Sequence, residues 1–259
     1  MDGTIRYEKT GRVGIITLDR PDALNAMRRD MITRLEAVLL EVERTRDVRA
    51  LLLTGEGRAF CAGVDLLETE GDVSGADRSA AVTGLETIQN VTRILMRLPV
   101  PTIAALNGLA VGMGSEISIS CDIRVAAPGA FIWFSEAKRG LFQSNGVMYM
   151  LPRLIGHSRS IEWMMSTRKI GSEELHASGL VSHIFDGPDF RAAAIEYASS
   201  IAANSPLSLR LLKEVSRRSL EASYEEVVQL EIDGMTETMN SADMREGLRA
   251  FAEKREPNF

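Results

Sequence analysis

The sequence predicts an α/β fold in which helices cover a sheet, and two observations support this prediction. Short apolar runs, typical of strands buried on both faces, alternate with longer segments of helical spacing through the first 145 residues. The rest of the chain is mostly helical in its spacing. Because parallel strands need crossover connections, this alternation indicates a sheet with helices packed against it.

Each element of the first half rests on a local pattern of apolar residues. Alternating or continuous apolar residues predict strands at 4–8, 12–18, 49–54, 101–106 and 122–127. The first two of these strands form a predicted hairpin. Apolar residues three and four positions apart predict helices at 28–44 and 80–97.

The last third changes from alternating elements to helices. Glycine and proline residues interrupt the helical spacing, and only 180–185 is typical of a strand. The final helices are predicted at 206–221, 223–240 and 242–254. We therefore expect a core over residues 1–190 that carries the chemistry. Residues 191–259 would form a helical region packed on that core or on a neighbouring subunit.

Composition and charge exclude several classes of protein. The 259 residues carry 30 Lys and Arg against 36 Asp and Glu, and the net charge of −6 disfavours binding to nucleic acid or anionic membranes. The longest uncharged run, 98–115, is interrupted by prolines and glycines, so it does not predict a membrane span. The N-terminus has no apolar signal core, and two cysteines cannot form a disulfide framework. We therefore expect a reduced, cytoplasmic setting.

Two glutamates are candidate catalytic groups. Glu116 lies in a segment with no other charge between Arg97 and Asp122, and burying such a carboxylate costs free energy unless it is hydrogen-bonded or used. A glutamate stabilised at a helix start is the alternative. Glu136 lies 20 residues later, and its alternative is the first turn of a short helix capped by Ser135. If a strand–turn–strand returns Glu136 to Glu116, the pair can divide acid and base roles.

Two glycine-containing loops follow predicted strands, at residues 59–66 and 108–114. Backbone N–H groups at such strand ends can bind a developing oxyanion, and packing turns are the alternative. Neither loop matches a phosphate-binding motif, and no metal-ligand motif is present in the sequence. Nucleophilic motifs are equally weak: Ser115 lacks a GxSxG context, and Cys61 and Cys121 lie in apolar surroundings typical of core thiols.

A polar segment, residues 67–79, contains two glycines. It is either a surface loop or a lid that orders over a ligand.

Together these segments resemble the enoyl-CoA hydratase/isomerase (crotonase) superfamily over nearly the whole chain. The resemblance rests on the segments ITLDRPDALNAM (16–27), AFCAGVDL (59–66), NGLAVGMGSEISISCDIRVAA (107–127), FIWFSEAKRGL (131–141), ASGLVSHIF (177–185), SPLSLRLLKE (205–214) and FAEKREPNF (251–259). It implies a spiral of repeated ββα units with a C-terminal helical region that assembles trimers or dimers of trimers. It also implies an acyl-CoA thioester substrate, with coenzyme A as part of the substrate and no separate cofactor or metal.

The resemblance also implies roles for individual residues. The oxyanion donors would be the backbone N–H groups of Ala62 and Met113. Residues expected to contact coenzyme A within one subunit are Ala23, Asn25, Ala62, Gly63, Val64 and Asp65. Phe251 and Lys254 would approach it from an adjacent subunit, with Lys254 near the 3′-phosphate.

In hydratases of this superfamily both glutamates are required, and both are present here. The resemblance implies that Glu116 takes a proton from water as it attacks the β-carbon of a 2-enoyl-CoA, and that Glu136 protonates the α-carbon on the same face. The alternatives within the superfamily are a Δ3-Δ2 isomerase, or a dehydratase or hydrolase of an unusual acyl-CoA. An alternative of a different class is a non-catalytic RNA-binding or scaffold protein.

Departures from the family pattern concern the expected acyl pocket. Met113 stands where many members have glycine, and the segment 141–146 (LFQSNG) replaces a proline- and glycine-rich stretch. We expect a bulky acyl pocket, with neutral repacking as the alternative. Its predicted lining residues are Trp133, Phe134, Phe142 and Met148.

Overall fold

The computed structural model describes residues 3–66 and 78–259, without the side chains of 78–81. Its strands are β1 (Thr4–Thr10), β2 (Val13–Asp19), β3 (Ala50–Gly55), β4 (Ala59–Cys61), β5 (Thr102–Leu106), β6 (Leu109–Val111), β7 (Ile123–Ala126), β8 (Phe131–Trp133), β9 (Lys169–Gly171) and β10 (His183–Ile184). Its helices are α1 (Arg29–Thr45), α2 (Arg78–Arg97), α3 (Met113–Ser120), α4 (Val147–Ile155), α5 (His157–Ser166), α6 (Ser172–Ala177), α7 (Phe190–Ala202), α8 (Pro206–Arg218), α9 (Tyr224–Met239) and α10 (Ala242–Glu253).

Within the described residues the strands form a six-stranded and a four-stranded sheet. The larger sheet has the order β1-β2-β3-β5-β7-β10, and the smaller has the order β4-β6-β8-β9. The hairpin β1–β2 is antiparallel as predicted, and the remaining pairs of the larger sheet are parallel. Every residue of β3 and β5 is buried, which explains why these strands are continuously apolar in the sequence.

The chain repeats a ββα unit, as the resemblance implied. In the pairs β3–β4, β5–β6 and β7–β8, the first strand joins the larger sheet and the second joins the smaller sheet. A helix follows each pair. The smaller sheet was not predicted from the sequence, because its strands are only three residues long. The segments that contain β4 and β6 were interpreted as loops. The strand predicted at 180–185 is also shorter, since β10 contains two residues.

Helix α7 contributes to the core of the larger sheet. Its buried face consists of Ala194, Ala198 and Ala202, and these pack in one cluster with Leu52 of β3 and Ile103 of β5. The boundary expected near residue 190 therefore falls before a helix that belongs with the sheet. Helices α8–α10 come after it, and their exposed apolar residues include Leu212, Ile232, Met235, Met239, Leu248 and Phe251.

A buried cluster of charges attaches α8 to the core. Lys213 and Arg217 both form ion pairs with Asp122, at 2.8 and 2.7 Å. Lys213 also donates to the carbonyl oxygens of Leu95 and Val100. Among the described residues, no helix is long and apolar enough to cross a membrane.

Candidate active site

Glu116 lies in the first turn of α3, a helix in which every residue is buried. The helix begins after Gly112, whose φ of +52° favours glycine. Only 3% of Glu116 is exposed, so its carboxylate needs hydrogen-bond partners within the protein.

Those partners come from the segment 141–146. Oε1 of Glu116 accepts from the backbone N–H groups of Ser144 and Asn145, at 3.2 and 3.3 Å. Oε2 accepts from the side-chain Nδ2 of Asn145 at 2.6 Å. Three donors stabilise the negative charge on this carboxylate.

Glu136 lies between β8 and a short 3₁₀ turn, Ala137–Arg139, and returns to the start of α3. A β-carbon placed on Gly112 would lie 3.4 Å from Oε1 of Glu136, so the carboxylate lies against that glycine. Oε2 accepts from Nε2 of Gln143 at 2.8 Å. The predicted strand–turn–strand thus brings Glu136 close to Glu116. The Ser135 side chain does not cap the turn, so that alternative is wrong.

The two carboxylates differ in environment. Burial raises the pKa of Glu136, the hydrogen bond from Gln143 lowers it, and the negative charge of Glu116 raises it. The net direction is upward. Glu136 therefore has one side-chain donor and a raised pKa, whereas Glu116 has three donors. This inequality is the arrangement expected of a general acid beside a base.

The backbone donors lie on two loops that touch each other. A β-carbon on Gly114 would lie 2.7 Å from Cβ of Cys61, so only glycine allows this approach of α3 to the loop after β4. No side chain caps the N-terminus of α3, and the N–H of Met113 has no acceptor among the described residues. Met113 is not among the residues with positive φ, so glycine is not required at its position.

The predicted donor Ala62 is not available in this arrangement. Its N–H donates to the carbonyl of Leu24 at 3.0 Å, which conflicts with the role expected from the resemblance. The N–H of Gly63 points at Sγ of Cys61. Met27 lies opposite Val64 and bonds to the residues on either side of it: its N–H donates to the carbonyl of Gly63, and its carbonyl accepts from the N–H of Asp65. The N–H of Val64 itself has no acceptor among the described residues. Within the described residues of this loop, Val64 is therefore the donor that could take the role expected of Ala62.

The residues expected to contact coenzyme A divide into two groups. Asn25 is fully buried, and its side chain accepts from the N–H of Arg20 and donates to the carbonyls of Glu56 and Ala59. Its amide is therefore occupied by bonds within the protein, and a fully buried Asn25 does not line the expected coenzyme A pocket in this conformation. Ala23 and Val64 remain partly exposed, and the Asp65 carboxylate forms an ion pair with Arg20 at 2.6 Å.

Phe251 and Lys254 lie at the end of α10. Phe251 is 85% exposed, and Lys254 ends the helix in the left-handed conformation. The structure contains one chain, so their expected approach to a neighbouring subunit stays a prediction.

The residues predicted to line the acyl pocket do not form one cluster. Phe134 is fully buried in the main apolar core. Trp133 is half-buried, and its Nε1 donates to the carbonyl of Thr167 at 2.6 Å. Phe142 and Met148 are exposed, Phe142 by 77%. A common lining by these four side chains is therefore not present in this conformation.

Other candidate chemistry is disfavoured by burial. Burial raises the pKa of both Cys61 and Cys121 to about 12, so neither thiol is a nucleophile near neutral pH. In the part of the chain that the structure describes, no three His, Cys, Asp or Glu side chains form a group that could hold a metal. The segment 67–79, interpreted as a loop or a lid, lies outside the described residues except for its last two, which begin α2.

Comparison with known proteins decides the family. The model of the family described as enoyl-CoA hydratase/isomerase matches residues 8–259. The chain belongs to this family. The resemblance inferred from its motifs is confirmed, and members of the family act on acyl-CoA thioesters.

Some relatives in the family are named as hydratases and others as isomerases. This chain is 32% identical to the short-chain-enoyl-CoA hydratase of Clostridium acetobutylicum, over 96% of this chain and 94% of the relative. It is also 32% identical to the 1,2-epoxyphenylacetyl-CoA isomerase of Escherichia coli, over 94% of this chain and 93% of the relative. The crystal structure of an enoyl-CoA hydratase from Bacillus anthracis superposes with a TM-score of 0.93 at 32% identity, covering 99% and 98% of the two chains.

Proposed function

We propose that this chain adds water to a 2-enoyl-CoA thioester and gives a 3-hydroxyacyl-CoA. The observation that supports this proposal is the pair of carboxylates, Glu116 in the first turn of α3 and Glu136 beside Gly112 at the start of that helix, which lie in unequal hydrogen-bond environments. Hydration needs a base for the attacking water and an acid for the α-carbon. A second acid–base group is not needed for a simple proton shuttle.

The roles follow from the environments. Glu116, whose charge is stabilised by three donors, takes the proton from water as the oxygen attacks the β-carbon. Glu136, whose pKa is raised chiefly by burial, gives its proton to the α-carbon. The resemblance to the family implies that both groups act on the same face of the double bond, so the proposed addition is syn.

The oxyanion donors in this proposal are the N–H groups of Val64 and Met113. Both lack an acceptor among the described residues, and their loops touch where Gly114 packs on Cys61. They would hold the thioester oxygen as negative charge develops on it. Removing one such donor typically costs about 3–4 kcal/mol of transition-state stabilisation.

We further propose that coenzyme A lies along Ala23 and residues 62–65, and that subunits assemble as a trimer or a dimer of trimers. The exposed apolar residues of α8–α10 support assembly, since isolated subunits rarely expose so many large side chains on one region. Phe251 and Lys254 would then reach the coenzyme A bound to a neighbour. Sedimentation velocity measures the assembly directly, and a monomer at micromolar concentration would contradict it.

The test of the reaction is loss of the conjugated-thioester absorbance of crotonyl-CoA. The wild type should form 3-hydroxybutyryl-CoA, and both Glu116→Gln and Glu136→Gln should lose activity. If one of these variants keeps activity on a 3-enoyl-CoA while the wild type does not hydrate crotonyl-CoA, the protein is an isomerase. A wild type that binds coenzyme A esters but leaves crotonyl-CoA unchanged would contradict hydration of this short acyl group.

A further inference from the structure

The segment 141–146, here named the amide loop, directs two side-chain amides at the two carboxylates. Its first residues face outward, with Leu141 and Phe142 exposed. Asn145 is only 4% exposed and donates to Glu116, and Gln143 donates to Glu136. The loop has a separate backbone anchor on α2, where Gln89 donates to the Ser144 carbonyl at 2.7 Å.

Both amides leave their oxygen atoms without a partner. Oε1 of Gln143 and Oδ1 of Asn145 are buried, and neither has a hydrogen-bond donor among the described residues. Leaving a buried acceptor unpaired destabilises a folded protein. An apolar side chain of the same shape would remove these unpaired oxygens, but it would also remove the donors to the two carboxylates. These amides therefore act through their nitrogen atoms, which reach the carboxylates.

We propose that Gln143 and Asn145 are positioning residues, which hold the two carboxylates in their reactive orientations. This inference rests on the proposed function. Asn145 fixes Oε2 of Glu116, and the backbone of the loop fixes Oε1. Gln143 fixes Oε2 of Glu136.

The hydrogen bond from Gln143 also determines which oxygen of Glu136 carries the proton. Oε2 already accepts from Nε2 of Gln143, so the proton is assigned to Oε1, the oxygen beside Gly112. That oxygen lies next to the start of α3, where the N–H of Met113 has no acceptor in the described part of the chain. Gln143 thus holds the protonated oxygen of Glu136 near the N-terminus of α3, where the proposed oxyanion donor Met113 also lies.

The bond also opposes the rise in the pKa of Glu136. Among the described residues, the charged groups with the main effects on the pKa of Glu136 are Glu116, which raises it, and Arg139, which lowers it. Loss of the Gln143 amide would remove a further lowering contribution, so the pKa would rise. Because Glu136 acts as the acid, the alkaline limb of the kcat profile would move to higher pH.

The test uses Gln143→Met and Asn145→Leu, which keep the shape of each side chain and remove both the donor and the unpaired oxygen. We expect kcat on crotonyl-CoA to fall by roughly 10- to 100-fold in each variant, as for loss of a hydrogen bond to a charged group. KM should be unchanged. Tm should fall in Asn145→Leu, because the buried Glu116 carboxylate loses one of its three donors, and should change less in Gln143→Met, because Glu136 is only half-buried. The alkaline limb should move in Gln143→Met and stay in place in Asn145→Leu.

A matched control is Gln229→Met, which removes the same kind of amide–carboxylate bond, from Gln229 to Asp233, at an exposed site on α9. It should leave kcat and the pH profile unchanged. Wild-type kcat in both loop variants would overturn the proposal, and so would an alkaline limb that does not move in Gln143→Met. If Asn145→Leu does not fold, Gln143→Met decides alone, since Gln143 is only half-buried.

A second measurement separates this proposal from the proposed function. If the wild type does not hydrate crotonyl-CoA, the proposed reaction fails, but Glu136 can still be titrated by carbon-13 NMR, with Glu136→Gln providing the assignment. A higher pKa of Glu136 in Gln143→Met than in the wild type supports the positioning role. An identical pKa in the two proteins overturns it.

Discussion

Asp122→Asn should destabilise the attachment of the C-terminal helices to the core. Oδ2 of Asp122 accepts from the N–H and the hydroxyl of Thr102 and pairs with Lys213, each at 2.8 Å. Oδ1 pairs with Arg217 at 2.7 Å. An amide at this position is neutral and replaces one acceptor by a donor, so two buried cations of α8 lose their counter-charge.

The magnitude follows from burial. The side chains of Lys213, Asp122 and Arg217 are 6%, 21% and 20% exposed, so solvent screens their charges only weakly. Removing one partner of a buried ion pair typically costs about 3–5 kcal/mol. For a chain of this size we expect Tm to fall by about 6–20 °C.

Urea unfolding followed by circular dichroism measures this loss at a fixed protein concentration. The control is Glu43→Gln, which breaks the ion pair with Arg97 on the surface, where about 1 kcal/mol or less is expected. A loss in Asp122→Asn no larger than in this control would refute the reasoning.

The same cluster predicts a pH dependence. Burial alone would raise the pKa of Asp122, but the charges of Lys213 and Arg217 outweigh burial and hold the pKa below its usual range. A carboxyl whose pKa is lowered by folding contributes stability above its unfolded pKa, about 3.9, and loses it as the pH falls through the folded pKa. The difference between wild type and Asp122→Asn should therefore narrow below about pH 4.

Three further predictions concern the site. Proline is accepted at the first position of a helix, so Met113→Pro differs from Met113→Ala chiefly by the missing N–H. The kcat of the proline variant should be about 100- to 1000-fold lower than that of the alanine variant. Equal kcat values would exclude the N–H of Met113 as an oxyanion donor. Gly114→Ala should lower kcat and lower the free energy of unfolding in urea by about 1–3 kcal/mol, because the added β-carbon meets Cys61. Unchanged stability would contradict the close approach of α3 to the loop after β4. Asn25→Ala should lower the free energy of unfolding by about 3 kcal/mol, because three hydrogen bonds are lost, and should leave KM for crotonyl-CoA unchanged. A raised KM at unchanged stability would instead support a role of Asn25 in binding coenzyme A.

The larger sheet could be predicted from the sequence because its strands carry a strong local signal. β2, β3 and β5 are five to seven residues long and are buried almost throughout, so they appear as continuous apolar runs. The strands of the smaller sheet are three residues each. Their pairing is stabilised by neighbouring chain segments, and so short a run has no period of its own.

In the site, too, some features could be predicted from local sequence and others depend on tertiary contacts. Glu116 and Glu136 could be identified from their position after apolar segments. Which backbone N–H groups are free could not be identified, because that depends on acceptors distant in sequence. The carbonyl of Leu24 accepts from the N–H of Ala62, whereas the N–H of Val64 has no acceptor within residues 3–66 and 78–259. The role of Asn25 was missed for the same reason, since its partners include the carbonyl of Ala59.

The sequence by itself determined the family, the alternation of strands and helices, and the presence of two carboxylates in apolar surroundings, because each of these is written in local pattern and residue order. The tertiary structure alone decided how the two carboxylates differ. Glu116 receives its donors from residues 28 and 29 positions away, and Gln143 reaches Glu136 only because the amide loop folds back over the start of α3. Hydrogen bonds and burial depend on distance in space, and that distance is set by the packing of segments that are far apart in the chain.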